Sequence, residues 1–198
     1  KQHADTFATA LAASGMGKGD RVGIMLPNCP QYVIAVFAVL RLGAIVVNMN
    51  PAYAPPEVEH LVRDSGIRML LTLDRLAAGA LALRSTTALE TVIITSLAEY
   101  SPETAPPVAS ADTIRLADLL ADGAAIDLPR VTIDPDEDVA VLQYTGGTTG
   151  VPKAAMLTHR NIFANTIQTE LWHHRSTERG HDRFLLVIPY FHIYGLTV

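Results

Sequence analysis

A glycine- and threonine-rich stretch that follows an apolar run limits the choice of fold more than any other part of this sequence. The apolar run Val139 to Leu142 is typical of a buried strand. It leads into Gln143-Tyr144-Thr145-Gly146-Gly147-Thr148-Thr149-Gly150-Val151-Pro152-Lys153. Glycines leave room for an anion to approach backbone N–H groups, threonines add hydroxyl donors, and Lys153 adds a cation on a long stem. Because α/β sheets bind ligands at the carboxyl ends of strands, the stretch predicts a phosphate-binding loop.

Two common phosphate loops do not match this spacing. A Walker A loop needs Gly-Lys-Ser/Thr, whereas here Lys153 follows Pro152 and precedes Ala154. The dinucleotide fingerprint G-x-G-x-x-G is absent, because the glycines stand at 146, 147 and 150. A flexible linker is the remaining structural alternative. The lysine and the strand-like runs on both sides argue against it.

The loop resembles the phosphate-loop signature of the adenylate-forming superfamily, which includes acyl-CoA ligases, luciferases and peptide-synthetase adenylation domains. Tyr144 to Lys153, with Leu157-Thr158-His159-Arg160-Asn161, is most similar to bacterial long-chain fatty-acid:CoA ligases. Further similar motifs cover nearly the whole chain: Gly19-Asp20-Arg21-Val22 to Leu26-Pro27-Asn28, Leu42-Gly43-Ala44 to Asn50-Pro51, and Pro189-Tyr190-Phe191-His192. Two positions depart from the pattern. Gly146 replaces a common serine and removes one donor, and Ala154 replaces the usual glycine and could restrict the loop's exit.

This resemblance implies a fold, a reaction and a set of site residues. The implied fold is α/β, a mainly parallel sheet with helices on both faces, within the large N-terminal domain of an adenylate-forming enzyme. The implied reaction is ATP-dependent activation of a fatty-acid carboxylate to acyl-adenylate and then to acyl-CoA, with coenzyme A as co-substrate. The implied cofactor-binding residues are Thr145, Gly146, Gly147, Thr148, Thr149, Gly150 and Lys153. Thr145 is also the implied Mg²⁺ contact, and Lys153 and His192 are the implied catalytic residues.

Some alternatives stay open at this point. The family's later motifs carry a glutamate for Mg²⁺, an aspartate for ribose and a late lysine, and we expect them beyond Val198. We therefore expect residues 1–198 to be an incomplete portion of the domain, cut at both ends and inactive alone. Aryl, medium-chain and amino acids remain open as substrates. A catalytically silent nucleotide-binding module and a purely structural loop remain open as functions.

Composition excludes several classes of protein. A formal net charge of -5, with no basic stripe, argues against a nucleic-acid binder. The single cysteine, Cys29, cannot form an internal disulfide, which favours a cytoplasmic protein. The longest apolar run, Val33 to Leu40, ends at Arg41 and is too short to span a bilayer. Peripheral membrane contact and a homodimer stay open.

Strand-like and helix-like runs alternate along the chain, which predicts helices packed over a mainly parallel sheet. We divide the chain into a β-α-β region (1–98), a connecting excursion (99–138) and a phosphate-loop region (139–198). The predicted helices are Lys1 to Ala13, Gln31 to Leu42, Glu57 to Asp64, Asp74 to Leu83, Ile114 to Leu120 and His159 to Leu171. The predicted strands are Arg21 to Leu26, Ala44 to Asn48, Ile67 to Leu73, Thr91 to Thr95, Val139 to Leu142, Ala154 to Leu157 and Phe184 to Ile188.

Several polar residues have simpler explanations than a site. Asn28, Asp74 and Thr158 are predicted helix caps. Cys29 is interpreted as a small residue near a helix start rather than a nucleophile. The remaining ones are interpreted as solvated or capping groups rather than as metal ligands: His60, Asp64, the acidic cluster Asp134 to Asp138, and the surface patch with His173, His174 and His181.

Overall fold

The computed structural model describes residues 1–100, 110–122, 128, 130–145, 152–173, 180–181, 183 and 185–197. Its strands are β1 (Arg21–Met25), β2 (Ile45–Asn48), β3 (Met69–Leu73), β4 (Thr91–Thr95), β5 (Thr113–Arg115), β6 (Val139–Thr145) and β7 (Lys153–Thr158). Its α-helices are α1 (Gln2–Ala13), α2 (Pro30–Arg41), α3 (Pro55–Ser65), α4 (Ala77–Ala82), α5 (Leu116–Asp122), α6 (His159–His173) and α7 (Ile193–Thr197). Short 3₁₀ turns, Asp74–Leu76 and Leu83–Ser85, flank α4.

The strands form one seven-stranded sheet in the order β5-β4-β3-β1-β2-β6-β7. All neighbouring pairs are parallel except β6 and β7, which pair antiparallel. On each side of β1, strands that come later in the chain therefore lie farther from it. Helix α2 follows β1, and α3 follows β2. This confirms the prediction of a mainly parallel α/β sheet, and the strand predicted at Ala154 to Leu157 is present as β7, which forms a hairpin with β6.

Side chains of successive strand residues alternate between two separate cores. Val46 and Leu71 join the core that contains Phe7 and Leu11 of α1 and most of the apolar face of α2. Their neighbours Val47 and Leu70 join the core beneath α3, which contains Leu61. Because side chains of a strand alternate in direction, the two cores lie on opposite faces of the sheet. Helices on both faces are thus confirmed.

Local chemistry explains why α3 begins and ends where it does. Pro55 occupies the first helical position, where its missing N–H costs nothing. The Glu57 carboxylate accepts a hydrogen bond from the Ala54 N–H at 2.8 Å. At the other end Gly66 has φ 63°, a left-handed conformation that terminates helices and that glycine adopts most easily.

The structure corrects four predictions about local elements. Asn28 is not a helix cap, since α2 follows Cys29 and the Asn28 side chain binds elsewhere in the chain. Asp74 starts a 3₁₀ turn and accepts only from the neighbouring Arg75 N–H, not as a helix cap. Thr113–Arg115 is an edge strand, and the predicted helix at 114–120 begins only at Leu116. The described residues of the predicted strand at 184–188 have no strand pairing, and Asn28 donates to the carbonyls of Leu186 and Ile188 instead.

Among the residues that the structure describes, no helix has both the length and the apolar character needed to cross a bilayer. The predicted site residues Gly146, Gly147, Thr148, Thr149 and Gly150 lie outside the described part, as does His174. Thr145, Lys153 and His192 are described.

Candidate active site

A cleft lies at the carboxyl ends of β2 and β6, where these neighbouring parallel strands meet the turn before α7. Its volume is about 330 Å³. It is lined by Asn48, Asn50, Tyr53, Gln143, Tyr144, Thr145, Phe191, His192 and Ile193. Amide, phenol, hydroxyl and imidazole groups therefore face one space, together with the apolar side chains of Phe191 and Ile193.

A buried amide pair forms the floor of this cleft. Asn48 and Gln143 stand next to each other in the register of β2 and β6, and the Asn48 Nδ2 donates to the Gln143 Oε1 at 3.1 Å. The Gln143 Nε2 donates in turn to the Phe191 carbonyl at 3.2 Å. Because buried polar groups need partners, this chain fixes the aromatic turn against the end of the sheet.

Tyr32 of α2 extends the same network from below. Its hydroxyl lies 2.7 Å from both the Asn48 Oδ1 and the Tyr190 carbonyl, so its single proton is shared between two acceptors. Burial raises the pKa of Tyr32, and the hydroxyl therefore stays protonated and able to donate. Its ring also packs against the ring of Tyr190, with centroids 5.5 Å apart.

Asn28 holds the segment before the aromatic turn. Its Nδ2 donates to the carbonyls of Leu186 at 3.2 Å and Ile188 at 2.9 Å, and its Oδ1 accepts from the Tyr190 N–H at 2.7 Å. All three partners are backbone groups. The Asn28 side-chain amide therefore supplies backbone hydrogen bonds of the kind that a neighbouring strand supplies in a sheet.

His192 projects from this turn into the cleft and is exposed. Its backbone N–H donates to the Pro189 carbonyl at 3.0 Å, and its carbonyl accepts from the Leu196 N–H at 3.1 Å as α7 begins. The ring Nδ1 accepts from the Tyr194 N–H at 3.3 Å. In that arrangement the proton is on Nε2, and this ring nitrogen has no hydrogen-bond partner among the residues that the structure describes.

Thr145 and Lys153 stand opposite each other at the loop end of the β6–β7 hairpin. Among the residues that the structure describes, the Thr145 hydroxyl makes only a long hydrogen bond, 3.4 Å, to the Lys153 carbonyl. Both residues are exposed. The hairpin therefore presents a hydroxyl and an ammonium group at the two ends of the stretch 146–151.

The structure brings Thr145 and His192 together but places the Lys153 side chain in a neighbouring cavity of about 530 Å³. Tyr144 borders both cavities. Its hydroxyl donates to the Asp64 carboxylate at 2.5 Å. Burial and this bond raise the pKa of Tyr144, so the phenol keeps its proton. Asp64 is thus a partner of β6 rather than a merely solvated residue.

Other residues weighed as candidates have structural surroundings. Cys29 is buried, and desolvation raises the pKa of its thiol, which disfavours the nucleophilic thiolate. The acidic cluster pairs with basic groups, with Asp138 2.5 Å from Lys18 and Asp136 bound to Arg160. Within the described part of the chain, no three His, Cys, Asp or Glu side chains are grouped to hold a metal ion.

Comparison with known proteins decides the family. The family model described as AMP-binding enzyme matches residues 1–198. The chain belongs to the AMP-binding enzyme family. Relatives of this chain can be compared with it in sequence and in structure.

The relatives of this AMP-binding chain include a long-chain-fatty-acid–CoA ligase of Bacillus subtilis, which is 39% identical over 205 residues. That match covers 96% of this chain and 36% of the relative. A crystal structure of a long-chain-fatty-acid-CoA ligase from Archaeoglobus fulgidus has a TM-score of 0.81 at 30% identity, covering 99% of this chain and 36% of that one. ATP-bound MatB from Rhodopseudomonas palustris has a TM-score of 0.80 at 25% identity, with coverages of 99% and 35%. The chain thus spans about a third of the length of these proteins.

The sequence interpretation of this AMP-binding chain missed Asn48, Tyr32 and Asn28 as site residues. A signal for Asn48 was present, because it is a polar residue at the end of an apolar strand, just as Gln143 directly follows the apolar run Val139 to Leu142. No comparable signal marks Tyr32, whose hydroxyl reaches Asn48 from a mostly apolar helix. Asn28 was noticed, but local reasoning assigned it to its own helix rather than to partners at residues 186 to 190.

Proposed function

We propose that the whole protein containing this AMP-binding chain activates a fatty-acid carboxylate with ATP and transfers the acyl group to coenzyme A. The observation that carries the proposal is the cleft in which Thr145, at the entrance of the Gly/Thr stretch, meets His192. The names of the relatives, two long-chain fatty-acid ligases and an ATP-bound enzyme, support the same reaction class.

The reaction has two steps. In the first, a carboxylate oxygen attacks the α-phosphorus of ATP, the bond to the bridging oxygen of the β-phosphate breaks, and pyrophosphate leaves. In the second, the thiol of coenzyme A loses its proton to solvent, its sulfur attacks the acyl carbonyl, and AMP leaves with the electrons of the carbon–oxygen bond. Both steps depend on positioning and on stabilisation of developing charge.

We assign the phosphate end of ATP to the loop end of the β6–β7 hairpin. The Lys153 ammonium would neutralise charge on the β- and γ-phosphates, and we assign the donors Gly146, Gly147, Thr148, Thr149 and Gly150 to the same task. The Thr145 hydroxyl is exposed and its bond to the Lys153 carbonyl is long, so its oxygen would be able to coordinate Mg²⁺. Mg²⁺ supplies further neutralisation of phosphate charge when bound.

We assign the carboxylate end of the site to the aromatic turn. His192 Nε2 is a donor free to bind a carboxylate oxygen, and the amides of Asn48 and Gln143 hold the turn in place. Phe191 and Ile193 add apolar surface beside it. That combination suits a carboxylate that carries a hydrocarbon chain. We also propose that the reaction takes place in the cytoplasm, the compartment that supplies ATP and coenzyme A.

The test is acid-dependent exchange of labelled pyrophosphate into ATP by the whole protein. We expect exchange with long-chain fatty acids, and an acyl-CoA product when coenzyme A is added. A panel of aryl, medium-chain and amino acids measured at equal concentration checks the substrate class. Faster exchange with one of these than with fatty acids would contradict the fatty-acid assignment, and no exchange with any acid would contradict the enzyme assignment.

Lys153→Ala tests the phosphate end of the site. We expect the exchange rate at saturation to fall by about 100- to 1,000-fold, as for loss of one group that stabilises developing charge. The KM for the acid should change by no more than about twofold, because the lysine does not line the cleft with His192. Arg75→Ala removes one exposed positive charge far from this hairpin and serves as the control. Equal exchange rates in Lys153→Ala and Arg75→Ala would contradict the assignment of Lys153 to the phosphate end of the site.

A further inference from the structure

We infer that Asn28 is a positioning residue that sets where His192 meets the carboxylate of the substrate. This inference rests on the proposed function. The two residues come together only in the fold, since Asn28 follows β1 and His192 precedes α7. Asn28 does not line the cleft itself, so its effect would pass through the backbone of residues 186 to 190.

Both polar ends of the Asn28 amide are fully used. Two donations and one acceptance bind three backbone groups within the five residues 186 to 190. Leu186 and Ile188 are alternate residues, as in an edge strand, yet the described residues of this segment pair with no strand. The segment therefore depends on Asn28 for hydrogen bonds that a sheet would otherwise supply.

The Asn28 backbone is well placed to act as a fixed support. Pro27 precedes it, and Pro30 begins α2 two residues later. Each proline fixes its own φ, so the turn between β1 and α2 has few conformations. A side chain on such a turn holds its amide in one place at little cost in entropy.

The aromatic turn has two more supports that do not involve Asn28. Tyr32 binds the Tyr190 carbonyl and Gln143 binds the Phe191 carbonyl. These two supports are buried, whereas Asn28 is exposed. Removing the Asn28 bonds should consequently leave the sheet and its cores intact and shift only the turn. A change in substrate binding without a matching loss of stability is therefore the expected signature.

Asn28→Asp is the sharpest variant. It keeps the shape of the side chain and the acceptor for the Tyr190 N–H, but it removes both donors and places a negative charge against the carbonyls of Leu186 and Ile188. Asn165→Asp is the matched control, since Asn165 is exposed on α6 and makes the same change in charge. Asn28→Ala, which removes all three bonds without adding charge, separates lost bonding from repulsion.

We expect Asn28→Asp to raise the KM for the fatty acid about tenfold in pyrophosphate exchange, as for the net loss of one or two hydrogen bonds. The KM for ATP should stay within about twofold of the parent value, since the hairpin is unaffected. Asn28→Ala should show a smaller rise in the same KM, and Asn165→Asp should match the parent. Amide hydrogen exchange should become faster in peptides covering 185 to 197 and remain unchanged in β1 to β3.

Each outcome decides the inference. An active parent with an unchanged acid KM in both Asn28 variants would overturn it. So would equal rises in both KM values together with faster hydrogen exchange throughout the sheet, which would mark a purely structural residue. A parent with no acid-dependent exchange would instead overturn the proposed function, and the positioning role with it.

Discussion

Gly195 is buried where α7 passes close to the backbone that precedes His192. A Cβ added at this position would lie 2.4 Å from the Pro189 carbonyl oxygen and 3.1 Å from that of Ile188. Both neighbours are backbone atoms, so neither can rotate away. The backbone of α7 can approach the backbone of Pro189 this closely because residue 195 carries only a hydrogen atom in place of a side chain.

Gly195→Ala should therefore lower the free energy of unfolding by about 2 to 4 kcal/mol, as expected for overpacking and a forced backbone shift. Gly79→Ala is a control of the same chemistry, because Gly79 lies within α4 and its added Cβ would meet nothing within 4 Å. That change should raise the free energy of unfolding by about 0.5 to 1 kcal/mol. Urea denaturation measures both, and a stable Gly195→Ala protein would show that the turn is not tightly packed.

The buried imidazole of His159, the first residue of α6, leads us to expect that stability depends on pH. Its Nε2 is buried without a hydrogen-bond partner in the described structure. Burial lowers the pKa of His159 below its usual value, although the nearby Asp138 carboxylate opposes the shift and Lys18 adds to it. The unfolded chain therefore binds a proton at His159 more readily than the folded protein does.

The contribution of His159 to stability is full above its unfolded pKa of about 6.5 and is lost as the pH falls below that value. His159→Gln should flatten the fall of the unfolding free energy between about pH 6.5 and pH 5. The measurement is a series of urea titrations of both proteins across that range. Parallel curves for parent and variant would contradict the assignment.

At the scale of elements, α6 is held by its first turn more than by its packing. None of its described residues is fully buried, although His159 and Ile162 are half-buried. Thr158 and Asn161 cap it reciprocally, with the Thr158 N–H donating to Asn161 Oδ1 at 3.0 Å and the Asn161 N–H donating to Thr158 Oγ1 at 3.3 Å. The sequence prediction of a Thr158 cap is confirmed, and Asn161 takes the part that glutamate or glutamine plays in a capping box.

Thr158→Ala and Asn161→Ala should each lower the free energy of unfolding by about 1 kcal/mol. The double variant should cost less than the sum of the two, because each bond secures the same turn. Thr166→Ala, farther along the same exposed helix, serves as a control for the loss of a hydroxyl. Additive losses in urea denaturation would show that the two caps act independently.

Elements with strong local signals were predictable from the sequence, and elements defined by a distant partner were not. Thr91–Thr95 is apolar, β-branched and bounded by polar residues, so its predicted and observed limits coincide. Thr113–Arg115 is too short to show a pattern and is a strand only because β4 lies beside it. The run at 184–188 has a strand's composition, but composition cannot reveal that Asn28 occupies its carbonyls.

At the scale of the whole molecule, the strand order predicts a gradient of local stability. β1, β2 and β3 lie in the middle of the sheet beneath helices, whereas β7 is an edge strand whose side chains are half-buried or exposed. Central strands open only with the whole fold, but edges open locally. Amide protons of β1 and β3 should therefore exchange at least about 100-fold more slowly than those of β7.

Native-state hydrogen exchange with strand-resolved peptides measures this difference. β4 offers an internal comparison, since only short β5 separates it from the edge, and its protection should lie between the two extremes. Uniform protection across the sheet would mean that the protein opens in a single cooperative step.

The candidate site was predictable to the extent that its residues lie in continuous motifs. The loop stretch and the aromatic stretch were both singled out, and the structure places Thr145 and His192 on one cleft. The sequence carried no information on the separate cavity of Lys153, because its position depends on which face of the hairpin each side chain occupies. The Asn48–Gln143 pair depends on strand register, which is fixed only when β2 and β6 align.

The Asn28 bonds also bear on how this protein comes to be folded. They join residues separated by 158 to 162 positions along the chain, whereas Tyr32 and Asn48 are separated by 16. Closing so long a segment is slow, since the entropy of loop closure must be lost before the contact contributes any stabilisation. The sheet around β1 should accordingly assemble first and the aromatic turn dock last. A folding molecule would pass through a stage with a native sheet and no cleft, so that compactness precedes any capacity to bind substrate.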